Sequence, residues 1–394
     1  MAYWTKESNV AHRLMGLMAL MGLMSLMGSC SEEGKPELFV DVVSYVANFE
    51  EEIVRMKTAK VQEDRGFFGE TRAWTPPAGY TAYEEGDNPI GVWLTQDGES
   101  SAKKLDGFFF KSSGKWRTNL ELTDKGTYYL YGYIPHISSI SSTIAPGPED
   151  KYQNGATLTL ENVPAVMSND LCVVIGAKEG LDKEHDNGLR RGDFAYMAKP
   201  VMGGGEEPAG NFVFLLFDHL YASMRIRMRV YDDYNALRTI KLKKMELQTQ
   251  AGTTPSKEKT NIAITLVATP DDSTDPITNI TYTPSGEAIT DGIEFWSSSA
   301  GETLTTEYSL HTGYFMPIGI SKLVLTSTYD VYDKKENLIR KDCKATMTMV
   351  LKDMITGQET TLRGRRYTIS MTIKPTFLYQ LSEPDLDNPT MEIN

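Results

Sequence analysis

The residue with the clearest chemistry is a cysteine near the N-terminus. Cys30 follows an uncharged apolar run, LMGLMALMGLMSLM over residues 14–27, and the basic residues Lys6 and Arg13 precede that run. Two small residues separate the run from the cysteine. A basic n-region, a short apolar h-region and small residues at the exit are typical of a secretory signal peptide. The run is too short to cross the roughly 30 Å of a bilayer core as a helix.

The junction before Cys30 resembles a bacterial lipobox, in which the cysteine is acylated and becomes the new N-terminus. We therefore expect residues 1–29 to be a lipoprotein signal peptide and Cys30 to carry palmitate-like acyl chains. Several chains give lasting membrane attachment, whereas one chain anchors only marginally. Ser31-Glu32-Glu33 resembles the acidic signal that sends some lipoproteins to the outer face of the outer membrane. An ordinary signal peptide followed by an incidental cysteine is the alternative.

Catalytic and metal-binding motifs are missing from the sequence. It contains no G-x-S-x-G, H-E-x-x-H or phosphate-binding loop. His219 has no His, Cys or carboxylate set at metal-ligand spacing nearby, so we interpret it as a structural residue. Asp385 and Asp387 fit a solvated tail better than a calcium site. We expect no enzyme activity, no metal and no cofactor, with a hydrolase as the least favoured alternative.

Two further features have simple interpretations. Arg191-Gly192-Asp193 matches an integrin-binding tripeptide, but a turn in a polar loop explains it equally well. Cys172 and Cys343 lie in apolar strand patterns, and we interpret both as buried free thiols. With Cys30 they are the only cysteines, which excludes a disulfide framework.

Length and charge limit the class of protein. The chain has 394 residues, enough for two domains of ordinary size. It carries 53 acidic and 40 basic residues, a net charge of −13. A surface this acidic disfavours nucleic acid as a partner.

The elements that must position these residues are short strands. Runs rich in Val, Ile, Thr and aromatic residues alternate with Gly, Pro, Asn and Asp clusters, which predicts an all-β fold. Residues 137–152 and 178–192 read as surface loops, and 202–210 as a flexible linker. The predicted strands are 90–94, 107–111, 127–134, 156–163, 171–175, 240–247, 262–267, 318–332, 344–351 and 367–373.

The strongest strand pattern follows the linker. In residues 211–230 apolar side chains recur at every second position, while Arg225, Arg227 and Arg229 share the opposite face. An apolar side chain at every second position over this length excludes an amphipathic helix, which repeats every 3.6 residues. The pattern predicts one long strand, or two strands bent near Asp218-His219. We take it as the start of a second β-sandwich domain, which gives domains at 73–210 and 211–394.

A further strand is predicted close to the N-terminus, within residues 37–50. One face is apolar and is interrupted only by Ser44. Residues 49–56 have weak helical spacing, and residues 60–70 read as an exposed polar connector that contains Arg65. The apolar face consists of Leu38, Val40, Val42 and Val46.

Several motifs, taken in order, resemble the fimbrillin-like (Mfa-like) family. The opening T-R-A and G-D-x-I-G-V motifs, a W…Y-x-Y-x-P segment and an F-x-H-x-x-A strand follow each other along most of the chain. In this sequence they are Thr71-Arg72-Ala73-Trp74, Gly86-Asp87-Asn88-Pro89-Ile90-Gly91-Val92-Trp93, Trp116 with Tyr129-Leu130-Tyr131-Gly132-Tyr133-Ile134-Pro135, and Phe217-Asp218-His219-Leu220-Tyr221-Ala222. Pro89 and the long stretch between Cys30 and Arg72 depart from the family pattern.

The resemblance implies a type V fimbrial subunit or a non-polymerising relative with two transthyretin-like β-sandwich domains. It implies that an Arg-specific protease removes residues 30–72 by cutting at Arg72, with Arg65 as the alternative. The removed strand would hold Leu38, Val40, Val42 and Val46. A strand from another subunit would fill the groove. The donor would come from residues 367–381 and the tail after them, with Tyr367, Ile369, Met371 and Ile373 as candidates.

Two function classes follow from the sequence. The first is a structural or accessory fimbrial subunit, anchored through acyl chains until cleavage and then part of a fimbrium that supports cell adhesion. Its partners would be other fimbrial subunits, the processing protease and the outer membrane. The alternative is a monomeric surface lipoprotein that binds glycan or a host ligand.

Overall fold

The computed structural model describes residues 38–54, 78–83, 88–98, 102–120, 126–182, 185–197, 212–316, 318–355, 357–374 and 390–393. Within these residues strands dominate, which confirms the all-β prediction. The strands of the N-terminal half are β1 (Leu38–Phe39), β2 (Asp41–Ala47), β3 (Glu50–Val54), β4 (Tyr80–Ala82), β5 (Ile90–Gln96), β6 (Lys103–Ser112), β7 (Lys115–Thr118), β8 (Tyr128–Ile134), β9 (Ser141–Pro146), β10 (Gly155–Pro164), β11 (Cys172–Gly180) and β12 (Ala195–Tyr196).

The C-terminal half continues in the same way. Its strands are β13 (Phe212–His219), β14 (Ala222–Val230), β15 (Thr239–Ala251), β16 (Thr254–Pro255), β17 (Lys257–Val267), β18 (Ile277–Ala288), β19 (Ile293–Leu304), β20 (Ser309–Met316), β21 (Lys322–Tyr332), β22 (Leu338–Val350), β23 (Arg365–Lys374) and β24 (Thr390–Ile393). The short helices are α1 (Asp232–Leu237) and α2 (Leu351–Met354), and 3₁₀ turns lie at Pro148–Asp150 and Tyr152–Asn154.

Two sheets enclose one part of the core. The first sheet has the order β1-β7-β6-β5-β8-β11-β13-β2-β4, with β12 beside β8, and the second has the order β18-β17-β10-β9. Phe214 and Leu216 of the first sheet pack in one cluster with Leu158 and Ile264 of the second. The opposite face of β13 is also buried, in a cluster with β5 and β8. Both faces of β13 are therefore apolar, as expected for a central strand.

Two more sheets enclose the rest of the core. The third sheet has the order β20-β14-β23-β24, with β3 also paired to β23, and the fourth has the order β16-β15-β21-β22, with β19 beside β15. Ile226 of β14 and Ile369 of β23 pack in one cluster with Leu242 and Leu325 of the fourth sheet. Face-to-face packing of this kind is the arrangement of a β-sandwich.

The long alternating pattern at residues 211–230 forms two strands, which is the second of the two arrangements that the sequence predicts. β13 ends at His219 in the first sheet, and β14 begins at Ala222 in the third. The bend is held because the Leu220 N–H donates to the carbonyl of Leu171 at 2.8 Å. The Tyr282 hydroxyl donates to the Leu220 carbonyl at 2.5 Å.

Two local predictions are wrong. The weak helical spacing expected from Phe49 onward is a strand, Glu50–Val54, because β23 offers this segment a parallel partner. The predicted surface loop at 137–152 contains the strand Ser141–Pro146, which pairs with β10. In both cases pairing with a distant strand overrides weak local preference.

The described strands cross the predicted domain boundary. β13 lies in the first sheet beside β11 and β2, and β17 extends the second sheet by pairing with β10. The described residues from Leu38 onward group as one compact unit. The predicted linker at 202–210 lies outside the described residues, and the division into two transthyretin-like domains stays a prediction.

Candidate functional site

The N-terminal segment, residues 38–54, lies in strand positions of two different sheets. β2 runs parallel to β13, with Phe212 opposite Asp41 and Phe217 opposite Val46, and its other edge pairs with β4. β3 runs parallel to β23 in the third sheet. The strand pairing expected for residues 38–46 is therefore present, and Val40, Val42 and Tyr45 of this segment contribute to the core.

Both faces of β2 are packed. Val40 and Val42 are buried in the cluster that contains β5 and β8, and the half-buried Val46 packs against it. On the other face Tyr45 is 5% exposed and lies in the core shared by the first and second sheets. Removal of β2 would open an apolar slot and leave the edge of β13 without its partner.

The segment crosses from the first to the third sheet at the same bend where β13 passes into β14. The Asn48 N–H donates to the carbonyl of Gly79, and the Glu50 N–H donates to the carbonyl of Gly364, both at 2.9 Å. His219 Nε2 lies 2.6 Å from the Ala47 carbonyl oxygen. Backbone and side-chain groups of the body thus hold residues 47–50 in one register.

Phe49 fills a slot at this crossing. Its ring stacks on the His219 imidazole, with centroids 3.6 Å apart and an interplanar angle of 19°. The Arg366 guanidinium lies over the ring at 4.3 Å from its centroid. A guanidinium over an aromatic face is attracted by the negative potential of the ring, so Phe49 is held by polar groups as well as by burial.

His219 belongs to a buried cluster with Asp170 and Cys172. Its Nδ1 lies 2.7 Å from Asp170 Oδ2 and 3.6 Å from Cys172 Sγ. Each ring nitrogen of His219 therefore faces an oxygen atom, Nδ1 the Asp170 carboxyl group and Nε2 the Ala47 carbonyl. The second oxygen of Asp170 has no partner within the described residues.

In the part of the chain that the structure describes, the donor atoms of these three residues lie within 4.8 Å of one another, close enough to hold a metal ion. Two oxygen or nitrogen ligands of a tetrahedral ion lie about 3.3 Å apart, whereas His219 Nδ1 and Asp170 Oδ2 are 2.7 Å apart. That separation is typical of a charge-assisted hydrogen bond. The cluster fits an ion pair better than a metal site.

The cluster also lacks the arrangement of a nucleophilic relay. A Cys-His-Asp relay places the thiol and the carboxylate on opposite ring nitrogens. Here both face Nδ1, and Nε2 is taken by Ala47. The sequence missed this cluster because Asp170 and His219 lie far apart in the chain, although both flank predicted strands.

Arg363 connects three elements next to the crossing. It lies 2.6 Å from Asp218, at the end of β13, and 3.2 Å from Asp275, before β18. Burial acts to lower the pKa of Arg363, but Asp218 and Asp275 outweigh burial and raise it. The ion pairs therefore fix the chain just before β23 to the end of the first sheet.

The two ends of the described chain share one edge of β23. β3 pairs with residues 365–369, and β24 pairs with residues 371–374 on the same edge. Arg365 forms an ion pair with Glu50 at 2.5 Å. The proposed donor residues Tyr367, Ile369, Met371 and Ile373 lie in β23 itself and are at most 1% exposed.

The Arg191-Gly192-Asp193 tripeptide is held within the protein. Arg191 contacts Asp275 at 3.1 Å, and Asp193 contacts Lys178 at 3.0 Å. Gly192 has φ +71°, and a Cβ there would lie 1.8 Å from Thr269 Oγ1. These contacts support the turn interpretation. Cys172 and Cys343 are buried thiols outside any disulfide, as predicted.

Several predicted site residues lie outside the described residues. They are Cys30, Arg65, Arg72, Asp385 and Asp387. Lipidation and cleavage therefore stay predictions. Among the described residues, no helix has the length and apolar character needed to cross a membrane.

Comparison with known proteins finds weak structural likeness. No protein-family model and no curated protein matches the chain. A fimbrial protein from Bacteroides vulgatus is similar, with 13% identity, coverage of 77% of this chain and 91% of that chain, and a TM-score of 0.32. The fimbrial anchor protein Mfa2 from Porphyromonas gingivalis has 11% identity, coverage of 89% and 95%, and a TM-score of 0.25. Scores this low carry no argument about this chain, so its function must be argued from its own residues.

Proposed function

We propose that this protein is a structural or accessory subunit of a surface fimbria, exported as a lipoprotein and assembled by strand exchange after proteolysis. The observation that supports this most directly is the placement of residues 38–54 in two sheets. The candidate lipidation residue Cys30 precedes this segment, and the candidate cleavage residues Arg65 and Arg72 follow it. One cut would release both the lipid anchor and the strands.

Loss of the segment would create a binding site. The edge of β13 opposite residues 41–46 and the edge of β23 opposite residues 50–54 would lose their ladder partners. Unpaired N–H and C=O groups beside an apolar slot favour the addition of a new strand. A donor on one subunit and a slot on the next form a heterologous contact, which propagates as a filament.

The donor would come from the C-terminal part of another subunit. In this chain Tyr367, Ile369, Met371 and Ile373 were the sequence candidates, but they would have to leave both the β14 ladder and the core. In the described part of the tail, β24 pairs with residues 371–374, so its release breaks a shorter ladder than release of β23 would. We therefore favour the tail as the part that moves.

Arg-specific cleavage of the purified precursor tests the proposal. We expect SDS-resistant ladders after treatment, because strand exchange links subunits through many backbone hydrogen bonds. In cells, Arg72→Ala should leave full-length, lipid-attached protein, whereas the matched variant Arg65→Ala should be processed normally. The reverse result would move the cut to Arg65, and normal processing of both variants would contradict the proposal.

The monomeric alternative has a distinct outcome in the same experiment. A product that is cut yet stays monomeric at every concentration would favour a surface lipoprotein that binds glycan or a host ligand. If the protease does not cut the protein, the interpretation of Cys30 as a permanent lipid anchor would be favoured.

A further inference from the structure

We infer that the crossing point is a strand-recognition site that selects an aromatic residue followed directly by a carboxylate. We call it the junction site and define it by His219, Gly364, Arg365 and Arg366. The inference rests on the proposed function, because it names the chemistry of the strand that replaces the N-terminal segment. In the precursor the site is filled by residues 47–50 of the same chain.

The aromatic position is defined by two side chains that contact the Phe49 ring. The His219 imidazole stacks on one face of Phe49, and the Arg366 guanidinium lies over the ring. Both groups belong to the body of the protein and would remain after the segment leaves. An aliphatic side chain could fill the space, but it would lack the attraction between a cation and an aromatic face. The slot therefore favours a ring.

The next position favours a carboxylate. Glu50 follows Phe49 directly and forms an ion pair with Arg365. Arg365 and Arg366 place two positive charges on this edge of a chain whose net charge is −13. Both partners of the pair are partly exposed, at 32% and 67%. Such a pair adds little affinity, but it selects between partners and fixes the register.

The remaining contacts are independent of sequence. The carbonyl of residue 47 faces His219, and the N–H groups of residues 48 and 50 donate to Gly79 and Gly364. Any extended chain supplies these backbone groups. At this crossing the aromatic residue and the acidic residue are therefore the positions that distinguish one partner strand from another.

The C-terminal part of this chain does not carry that pair. Its aromatic residues are Phe377 and Tyr379, and they are followed by Leu378 and Gln380. The junction site is thus mismatched to a second copy of this chain. We take its occupant to be a strand of a different subunit that carries an aromatic–acidic pair.

Peptide binding to the cleaved protein tests this inference. A labelled peptide of residues 41–54 should bind, and its Phe49→Ala form should bind about tenfold more weakly. The matched peptide Asn48→Ser should bind as well as the parent. Equal binding of the Phe49→Ala peptide would overturn the aromatic requirement. A peptide of residues 375–394 should bind at least about tenfold more weakly than the parent, and equal binding would overturn the choice of a different subunit.

A second measurement separates failure of the site from failure of the proposed function. If the protease leaves the chain whole, hydrogen exchange of the amides at residues 48–54 is measured in the uncut protein. We expect Phe49→Ala and Arg366→Gln each to accelerate exchange at least about fivefold, with Lys335→Gln as the unchanged control. Unaltered exchange in both variants would overturn the junction site even if fimbriae assemble.

Discussion

His219 Nε2 lies 2.6 Å from the carbonyl oxygen of Ala47, although the two residues are 172 positions apart in the chain. This contact ties the N-terminal segment to the bend between β13 and β14. The other ring nitrogen, Nδ1, lies 2.7 Å from Asp170 Oδ2. One histidine therefore connects the N-terminal segment, the start of β11 and the end of β13.

Loss of this histidine should destabilise the precursor strongly. His219→Leu leaves the Asp170 carboxylate buried without its cation, which costs about 3–5 kcal/mol in free energy of unfolding. The double variant Asp170→Asn/His219→Leu should recover about 1–3 kcal/mol, because the uncompensated charge is gone. Urea unfolding followed by tryptophan fluorescence measures both.

The matched control for that experiment is His185, which is exposed and pairs with Asp182. His185→Leu should change the free energy of unfolding by less than about 0.5 kcal/mol. A loss of similar size in the two histidine variants would contradict a special role for His219.

The N-terminal segment should contribute to stability as part of the core. Tyr45→Ala removes a side chain that is 5% exposed and should cost about 3 kcal/mol in free energy of unfolding. Asp41→Ala, on the same strand but exposed, should cost less than about 0.5 kcal/mol. Thermal and urea unfolding of the uncut protein provide the measurement. A cost below about 1 kcal/mol for Tyr45→Ala would mean that the segment is only loosely attached.

Arg363 should matter more than ordinary surface charges do. Arg363→Gln leaves Asp218, whose side chain is 15% exposed, without its cation. We expect a loss of about 2–4 kcal/mol, somewhat below that of a fully buried pair. The control is Lys151→Gln, which removes an exposed pair with Glu149 and should cost about 0.5 kcal/mol or less. Equal effects in urea unfolding would contradict the role of Arg363 in joining the sheets.

Stability should fall in mild acid because burial lowers the pKa of two histidines, the half-buried His136 and the buried His311. Burial lowers the pKa of His136, an effect that Asp106 partly opposes, and burial likewise lowers the pKa of His311 against Glu302. The unfolded chain then binds more protons once the pH falls below about 6.5. Stability that is fully present above that pH is lost as the pH falls through the folded-state pKa.

Variants separate the two contributions. In the folded protein the hydroxyl of Tyr133 lies 2.9 Å from His136 Nδ1. If that nitrogen is protonated, it can no longer accept a hydrogen bond from the Tyr133 hydroxyl. His136→Asn and His311→Asn should each flatten the slope of unfolding free energy against pH just below about 6.5, the pKa of an unfolded-state histidine. The two effects should add, because the residues lie in different parts of the core. An unchanged slope in the double variant would contradict the assignment.

The all-β class was readable from the sequence because alternation along a strand is a local property. The apolar residues of β14 alternate with Arg225, Arg227 and Arg229 within nine residues, and no distant contact is needed to recognise that pattern. The division of β2 side chains between two faces could be predicted for the same reason. Both faces proved to be packed, because Val40 and Val42 lie in one core cluster and Tyr45 lies in another.

The strand at residues 50–54 could not be predicted from the sequence. Three successive glutamates have low strand preference, and only the parallel edge of β23 makes this segment a strand. The same holds for β9, whose polar sequence reads as a loop until β10 supplies a partner.

By itself the sequence determined the strand class. It also predicted an export signal before Cys30, and its resemblance to a known family implied cleavage at Arg72 or Arg65. The sequence placed His219 in a strand motif but did not predict which residues contact its side chain. Only the tertiary structure brought Asp170 and His219 together with Ala47 and Phe49, because these two residues and the N-terminal segment lie on three different stretches of chain. Local pattern specifies which face of a strand is apolar, whereas the neighbour of that strand is decided by packing among residues that are distant in sequence.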